Sequence, residues 1–368
     1  MEFIQKPDTL TFAATMPNFI VGGVYEGAIV TLLKGNDTLQ SESMFSTGQR
    51  LVIDLKDVIN NSLRVDMPTP PIYHQKEAMG LFTLKVESGN DSLEYSFNAI
   101  RGGYEGFKIP TRYDAIEKLY TFQPVTKIIT TESPEWLTFF INLNSLRVRF
   151  RFYLPHGELT ATAYIDNVLS STDAVGLYAI DCSYSQACEL AIPAGGYGFA
   201  YYDVDLVASD DTIVSPTQRY IVTQATDSHR YYLFENTLGG IDTLICSGNI
   251  KKRVSLSSEV TVSNDIKDDS TNTHSLSFEQ TVGIFSSDIE LMWFRDFIIS
   301  SQRYEVENDS LYRIIIEEAD SEINLADADV VTFTFRRATE DKYSGFIRQR
   351  QELPMGLIFE GPDDVDFF

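Results

Sequence analysis

Cysteine is scarce: Cys182, Cys188 and Cys246 are the only three in 368 residues. So low and odd a count argues against a disulfide framework. Cys182 and Cys188 are expected to be reduced, partly buried thiols, with a pairing across a loop as the alternative. Histidine is also scarce. His74, His156, His229 and His274 lie far apart, and neither a His-Glu-x-x-His nor a Cys-x-x-Cys motif occurs, so no transition-metal site is expected. His156 falls in a turn and His74 in a Pro-rich loop, and both are read as surface residues. Positive charge is in deficit. Lys and Arg number 29 against 53 Asp and Glu, a net charge of −24, which repels phosphate backbones and anionic headgroups and argues against nucleic-acid and membrane-surface roles. No apolar run approaches the roughly 18 residues of a membrane-spanning helix. Residues Met1 to Pro7 hold no basic stretch leading into an apolar one, so neither membrane insertion nor secretion is expected, and the product is read as cytoplasmic. No Gly-x-Ser-x-Gly elbow is present, and Gly195-Gly196-Tyr197-Gly198 precedes a strand where a phosphate cradle would open a helix. No catalytic, cofactor-binding or metal-ligating residue is therefore assigned, and the chain is expected not to be an enzyme.

What the sequence has is period two and aromatic residues. It holds 24 Phe and 19 Tyr, which pleated, half-buried strands favour. In Leu146-Arg147-Val148-Arg149-Phe150-Arg151-Phe152 the apolar residues share one side and the arginines the other, a strand with one wet face. Pro155-His156-Gly157 then turns the chain into a second alternating run, Leu159 to Ile165. Leu10 to Ala14 alternates in the same way. A turn cassette recurs at Gly35-Asn36-Asp37, Gly89-Asn90-Asp91 and Asn308-Asp309-Ser310, each between strand-like runs, and predicts three hairpin tips.

Helical signals are few. Ser287 can cap a helix whose apolar face is Ile289, Met292, Trp293 and Phe297. Ser133-Pro134-Glu135-Trp136-Leu137 predicts one helical turn, with Pro134 at its first position, and Leu55 to Asn60 another. The fold class is therefore mainly β: three consecutive β-sandwich-like modules of immunoglobulin or fibronectin type, with a few short helices and an extended C-terminal arm. The expected boundaries are 1–108, 109–223, 224–352 with the helix near 287–299, and the arm 353–368. Met355, Leu357, Ile358, Phe359, Phe367 and Phe368 make that arm either a frayed tail or a segment that docks on a neighbour.

The richest oxygen cluster is Asp203, Asp205, Asp210 and Asp211. It could chelate calcium or supply a carboxylate pair for glycoside hydrolysis; the plainer reading is the wet face of an edge strand. Asn264 to Ser270 is read as a solvated loop; Tyr201 and Tyr202 could stack on sugars if exposed, but aromatics at strand spacing are more often core residues.

One stretch is distinctive: Phe234-Glu235-Asn236-Thr237-Leu238-Gly239-Gly240-Ile241-Asp242-Thr243. It reads as strand, tight turn and strand, with Gly240 expected at positive φ. It resembles a signature of β-rich virion structural proteins, tail or baseplate-type, from bacteriophages and prophages of gut Bacteroidetes. Arg101-Gly102-Gly103 after a strand, and Trp293-Phe294-Arg295-Asp296-Phe297 before Ser300-Ser301, are similar to further features of such proteins. The resemblance is sharpest at Asn236–Thr243. It implies a non-enzymatic structural component of a phage particle, in the tail, baseplate, collar or fibre attachment, assembled in the bacterial host cytoplasm and located in the virion. It also implies partners: further copies of the chain in a homo-oligomer with ring symmetry, and other virion structural proteins. Two other classes stay open, a surface carbohydrate-binding or adhesive β-module protein and a β-rich glycosidase.

Overall fold

The computed structural model describes residues 1–103, 119–141, 146–166, 175–263, 266–285, 287–308, 310–320 and 330–338. The arm expected at 353–368 and most of the connector before residue 119 lie outside the described residues. The chain is mainly β. Residues Met1–Ala338 form one compact unit.

The first hundred residues carry β1 (Glu2–Gln5), β2 (Leu10–Phe12), β3 (Phe19–Gly22), β4 (Gly27–Lys34), β5 (Asp37–Phe45), β6 (Arg50–Ile53), helix α1 (Lys56–Ser62), β7 (Ile72–His74), β8 (Met79–Ser88) and β9 (Asp91–Ile100). A three-stranded sheet, β1-β3-β6, faces a five-stranded one, β2-β9-β8-β4-β5. Between them Phe19, Val21, Leu51 and Ile53 meet Val30, Leu32, Phe82, Leu84 and Phe97 in one buried cluster. Alternation works as the sequence suggests: β4 and β8 bury every second residue. The cassettes at Gly35 (φ 60°) and Gly89 (φ 59°) are the β4–β5 and β8–β9 hairpin tips.

The next segment carries β10 (Thr126–Thr130), β11 (Trp136–Ile141), β12 (Arg147–Tyr153), β13 (Leu159–Ile165), β14 (Gly176–Asp181), α2 (Tyr184–Ala191), β15 (Tyr201–Val207) and β16 (Gln218–Thr223). Again three strands, β11-β14-β7, face five, β10-β16-β15-β12-β13. β7 comes from the first segment, and pairs Ile72 to His74 with Ile180 to Tyr178. Two expectations fail here. The helical turn at Ser133–Leu137 is absent; Trp136 opens β11, whose six residues are all buried and so show no alternation. His74 is not in a loop but in β7, where its ring stacks on Tyr178 at 4.5 Å.

The third segment carries β17 (Arg230–Glu235), β18 (Ile241–Cys246), β19 (Ile250–Ser263), β20 (Ile266–Ile284), α3 (Asp288–Ile299), β21 (Arg303–Glu307), β22 (Ser310–Asp320) and β23 (Val330–Arg337). One seven-stranded sheet, β18-β17-β21-β22-β23-β20-β19, buries its apolar face against α3 in place of a second sheet. Ser287 accepts from the Glu290 amide while Glu290 reaches back, a full capping box. The buried stripe of α3 is Trp293, Phe294 and Phe297, with Asp296 among them; Ile289 and Met292, expected inside, are exposed. Ile266 to Ser270 is not loop but the start of β20.

Three of the four hydrophobic clusters draw their buried residues from one segment each, within 13–99, 129–220 and 232–335. The fourth is shared: Phe12, Val65, Ala78 and Ile100 meet Tyr120, Trp136, Phe140, Leu177 and Ala179, then Leu233 and Ile241. The β11-β14 pair thus has the second core on one face and this common core on the other. That explains two strands buried along their whole length.

Candidate functional site at the joint of three segments

The turn between β17 and β18 is where the chain's most distinctive residues sit. The Asn236 side chain organises it: Oδ1 accepts from the amides of Leu238 (3.1 Å) and Gly240 (2.8 Å), and Nδ2 donates to the Tyr120 carbonyl at 2.7 Å. Gly239, at φ 78°, occupies the left-handed region, and a Cβ there would lie 2.4 Å from the Arg101 carbonyl oxygen. Gly240, expected at positive φ, is not there; it is glycine because a Cβ would lie 2.4 Å from the Tyr120 oxygen.

Arg101 enters from the first segment. Its guanidinium pairs with Glu235, both side chains nearly buried, and its other arm donates to the carbonyls of Asn60 (2.7 Å) and Leu63 (2.9 Å) at the end of α1. The Gly102 amide donates to Asn60 Oδ1 and the Gly103 amide to the Thr237 carbonyl, at 2.9 and 2.6 Å. From α3, Asp296 accepts from the Thr237 amide at 3.0 and 3.2 Å. The second segment adds Lys127, whose Nζ lies 2.6 Å from Glu135 Oε2, 2.6 Å from the Thr243 carbonyl and 3.2 Å from Gln123 Oε1. It also sits 4.9 Å from the Trp293 ring. Thr121 donates to Asp242 at 2.9 Å, and Thr243 donates to the Pro134 carbonyl.

The electrostatics follow from burial. Burial pushes the Glu135 carboxyl up to about 7 against the opposing pull of Lys127. It pushes Asp242 up to about 6, opposed by the Thr121 hydroxyl. Asp296 rises to about 7, through burial first and the charge of Asp242 second. The joint can therefore take up protons near neutrality. The thiols of Cys182 and Cys246 are raised well above their ordinary value by burial and stay protonated; all three cysteines are free.

The aspartate cluster has a different role from any expected of it. β15 is a central strand, not an edge, and Asp203 and Asp205 are buried. Arg149 grips Asp205 through two bonds at 2.9 and 3.0 Å, and Arg151 adds a third at 2.9 Å. Arg219 grips Asp203 at 2.7 and 2.9 Å. Asp211 goes instead to Arg147 and Asp210 to the Thr212 amide, so the four carboxylates do not converge. Among the described residues no group of three or more His, Cys, Asp or Glu side chains is placed to hold a metal ion. The arginine face expected to be wet is an ion-pair ladder; its signal in the sequence was Asp-x-Asp on one strand at the register of Arg-x-Arg on another. Tyr202 is in the core, while Tyr201 stacks on Tyr153 at 4.9 Å with the Arg219 guanidinium 4.7 Å from its ring. His156, exposed, pairs with Glu158, and the half-buried His229 bonds Thr226; the His274 side chain lies outside the described residues.

No helix among the described residues is long and apolar enough to cross a membrane. No family model and no curated protein matches the chain. Among solved structures, the chain is similar to a chimeric titin Z1Z2 tandem (10% identity, 61% of this chain and 99% of that one, TM-score 0.17). It is also similar to invasin, a bacterial integrin-binding protein (10% identity, 76% and 56%, TM-score 0.22). A third is SGBP-B of the Bacteroides ovatus mixed-linkage glucan utilization locus, in complex with a mixed-linkage heptasaccharide (10% identity, 73% and 65%, TM-score 0.15). The chain thus spans about half the length of invasin.

Proposed function

We propose that the chain is a non-enzymatic structural protein of a phage-type particle, in the tail, baseplate, collar or fibre attachment, which assembles through contacts with copies of itself and with other virion proteins. The observation that carries this reading is where the signature residues sit. Asn236, Gly239, Gly240, Asp242 and Thr243, with Arg101, Gly102 and Gly103, are the bonds that tie three segments into one body. The residues that resemble a virion-protein signature serve architecture, and a rigid body with several outward faces is what a multi-contact scaffold requires. The hydrolase alternative loses its support, because Asp203 and Asp205 are held by arginines. The carbohydrate-binding alternative keeps one observation, the half-buried Tyr153–Tyr201 pair on the outward face of β12 and β15.

The test is labelling of particles. Antibody raised against the purified chain is applied to particles sedimented from induced cultures of the source organism and viewed by electron microscopy. Gold at one fixed position on each particle supports the reading. Unlabelled particles, with binding of the free protein on a glycan array, overturn it in favour of the carbohydrate-binding one.

A further inference from the structure

Strands β19 and β20 are far longer than the sheet that holds them. They pair with each other from Ile250 opposite Gln280 out to Ser263 opposite Ile266. β23 joins β20 only between Phe278 and Ile284, and β19 is the last strand of its sheet. From Arg253 and Ser277 outward, a two-stranded ribbon with neither edge paired among the described residues runs on for about 35 Å at the usual rise of ~3.3 Å per residue. Such a ribbon is marginal by itself and exposes unpaired backbone groups on either side. Its base is sticky in two ways. Val254 and Leu276, directly opposite each other, are 70% and 44% exposed. Lys251, Lys252 and Arg253 are three successive cations in a chain of net charge −24, and among the described residues Glu279 is the acid that pairs with Lys251 and Arg253.

A complementary strand exists on the same chain. β5 is the outer strand of its sheet, seven of its nine residues are exposed, and its free edge has no partner among the described residues. It carries Asp37 and Glu42, with Leu39 and an 86%-exposed Phe45 beside them. We propose that the β19–β20 ribbon of one copy adds to the β5 edge of a second copy, joining the two sheets with Lys251 and Arg253 against Asp37 and Glu42. Strand addition satisfies the free edge of β5 and one open edge of the ribbon, the apolar residues of each cover those of the other, and Asp37 and Glu42 face the cations clustered at the base of the ribbon. Because ribbon and edge are different surfaces, the contact is head-to-tail, and it closes into a ring if the rotation per copy allows. The inference rests on the reading of the chain as a self-assembling structural protein and names the contact that reading requires.

The experiment is sedimentation velocity on the full chain and three variants, with circular dichroism confirming that each is folded. The wild type should associate with rising concentration. Lys251→Glu with Arg253→Glu should weaken association about tenfold or more, and so should Asp37→Lys with Glu42→Lys. The variant carrying all four changes restores the charge pairing with signs reversed and should associate close to the wild-type level. If the wild type associates and the charge variants do so equally well, the ribbon contact is wrong while self-assembly stands. A wild type that stays monomeric up to high micromolar concentration overturns the second copy as the partner, and the particle-labelling result then decides separately whether the structural reading survives.

Discussion

Gly239 and Gly240 stand side by side for different reasons. The first needs backbone freedom at φ 78°; the second needs the space that the Tyr120 carbonyl fills. Gly240→Val therefore forces backbone apart at the joint and should cost about 3 kcal/mol or more, read as a drop in denaturation midpoint. Gly239→Ala carries both a strained φ and a contact with the Arg101 carbonyl and should cost a similar amount. The buried acids make a second prediction at this scale. Glu135, Asp242 and Asp296 hold their protons more tightly in the folded chain, at about 7, 6 and 7, than their ordinary values of 4.5, 3.8 and 3.8. The folded state then binds more protons between pH 4 and 7, so their contribution is fully present below about pH 4 and is lost as pH rises through 6 to 7. The melting temperature should rise on going from pH 8 to pH 5.5, and Asp296→Asn should flatten that rise. A melting temperature that falls over the same interval would contradict the assignment.

At the level of elements, the ladder on β12, β15 and β16 predicts a large response to one small change. Asp205→Ala leaves Arg149 and Arg151 facing an empty register position, and removal of one partner from a buried pair costs about 3–5 kcal/mol. A melt unchanged by that substitution would mean that the arginines are already solvated. This ladder also marks how far the sequence could be read. Turn chemistry was legible, because Gly35, Gly89 and Asn308 take the positive φ that hairpin tips require. The start of α3 was legible, because capping is local: Ser287 and Glu290 lie within one turn. Helix α2 was not, since its buried face is only Ala187 and Ala191, too small to raise a periodic signal. β11 was misread for the opposite reason. A strand apolar on both faces has no period, and Pro134 before Trp136 looked like a helix start. Whether alternating arginines face water or aspartates depends on which strand lies next to them, and local pattern does not carry that information.

For the whole molecule, the joint matters more than any single segment. Three cores of their own would let each segment melt alone. The shared cluster around Trp136 and Tyr120, the Arg101–Glu235 pair and the Lys127 network tie them into one unit. Asn236 was singled out in the sequence for turn geometry, yet its larger role is to hold residue 120, more than a hundred positions away. No local pattern announces such a bond. Differential scanning calorimetry of the full chain tests the coupling directly, with wild type compared to a double variant Arg101→Ala, Glu235→Gln that empties the joint of its ion pair. One cooperative transition is expected for residues 1–338 in the wild type and separated transitions in the variant. Several independent transitions in the wild type, or a single unchanged transition in the variant, would contradict the coupling.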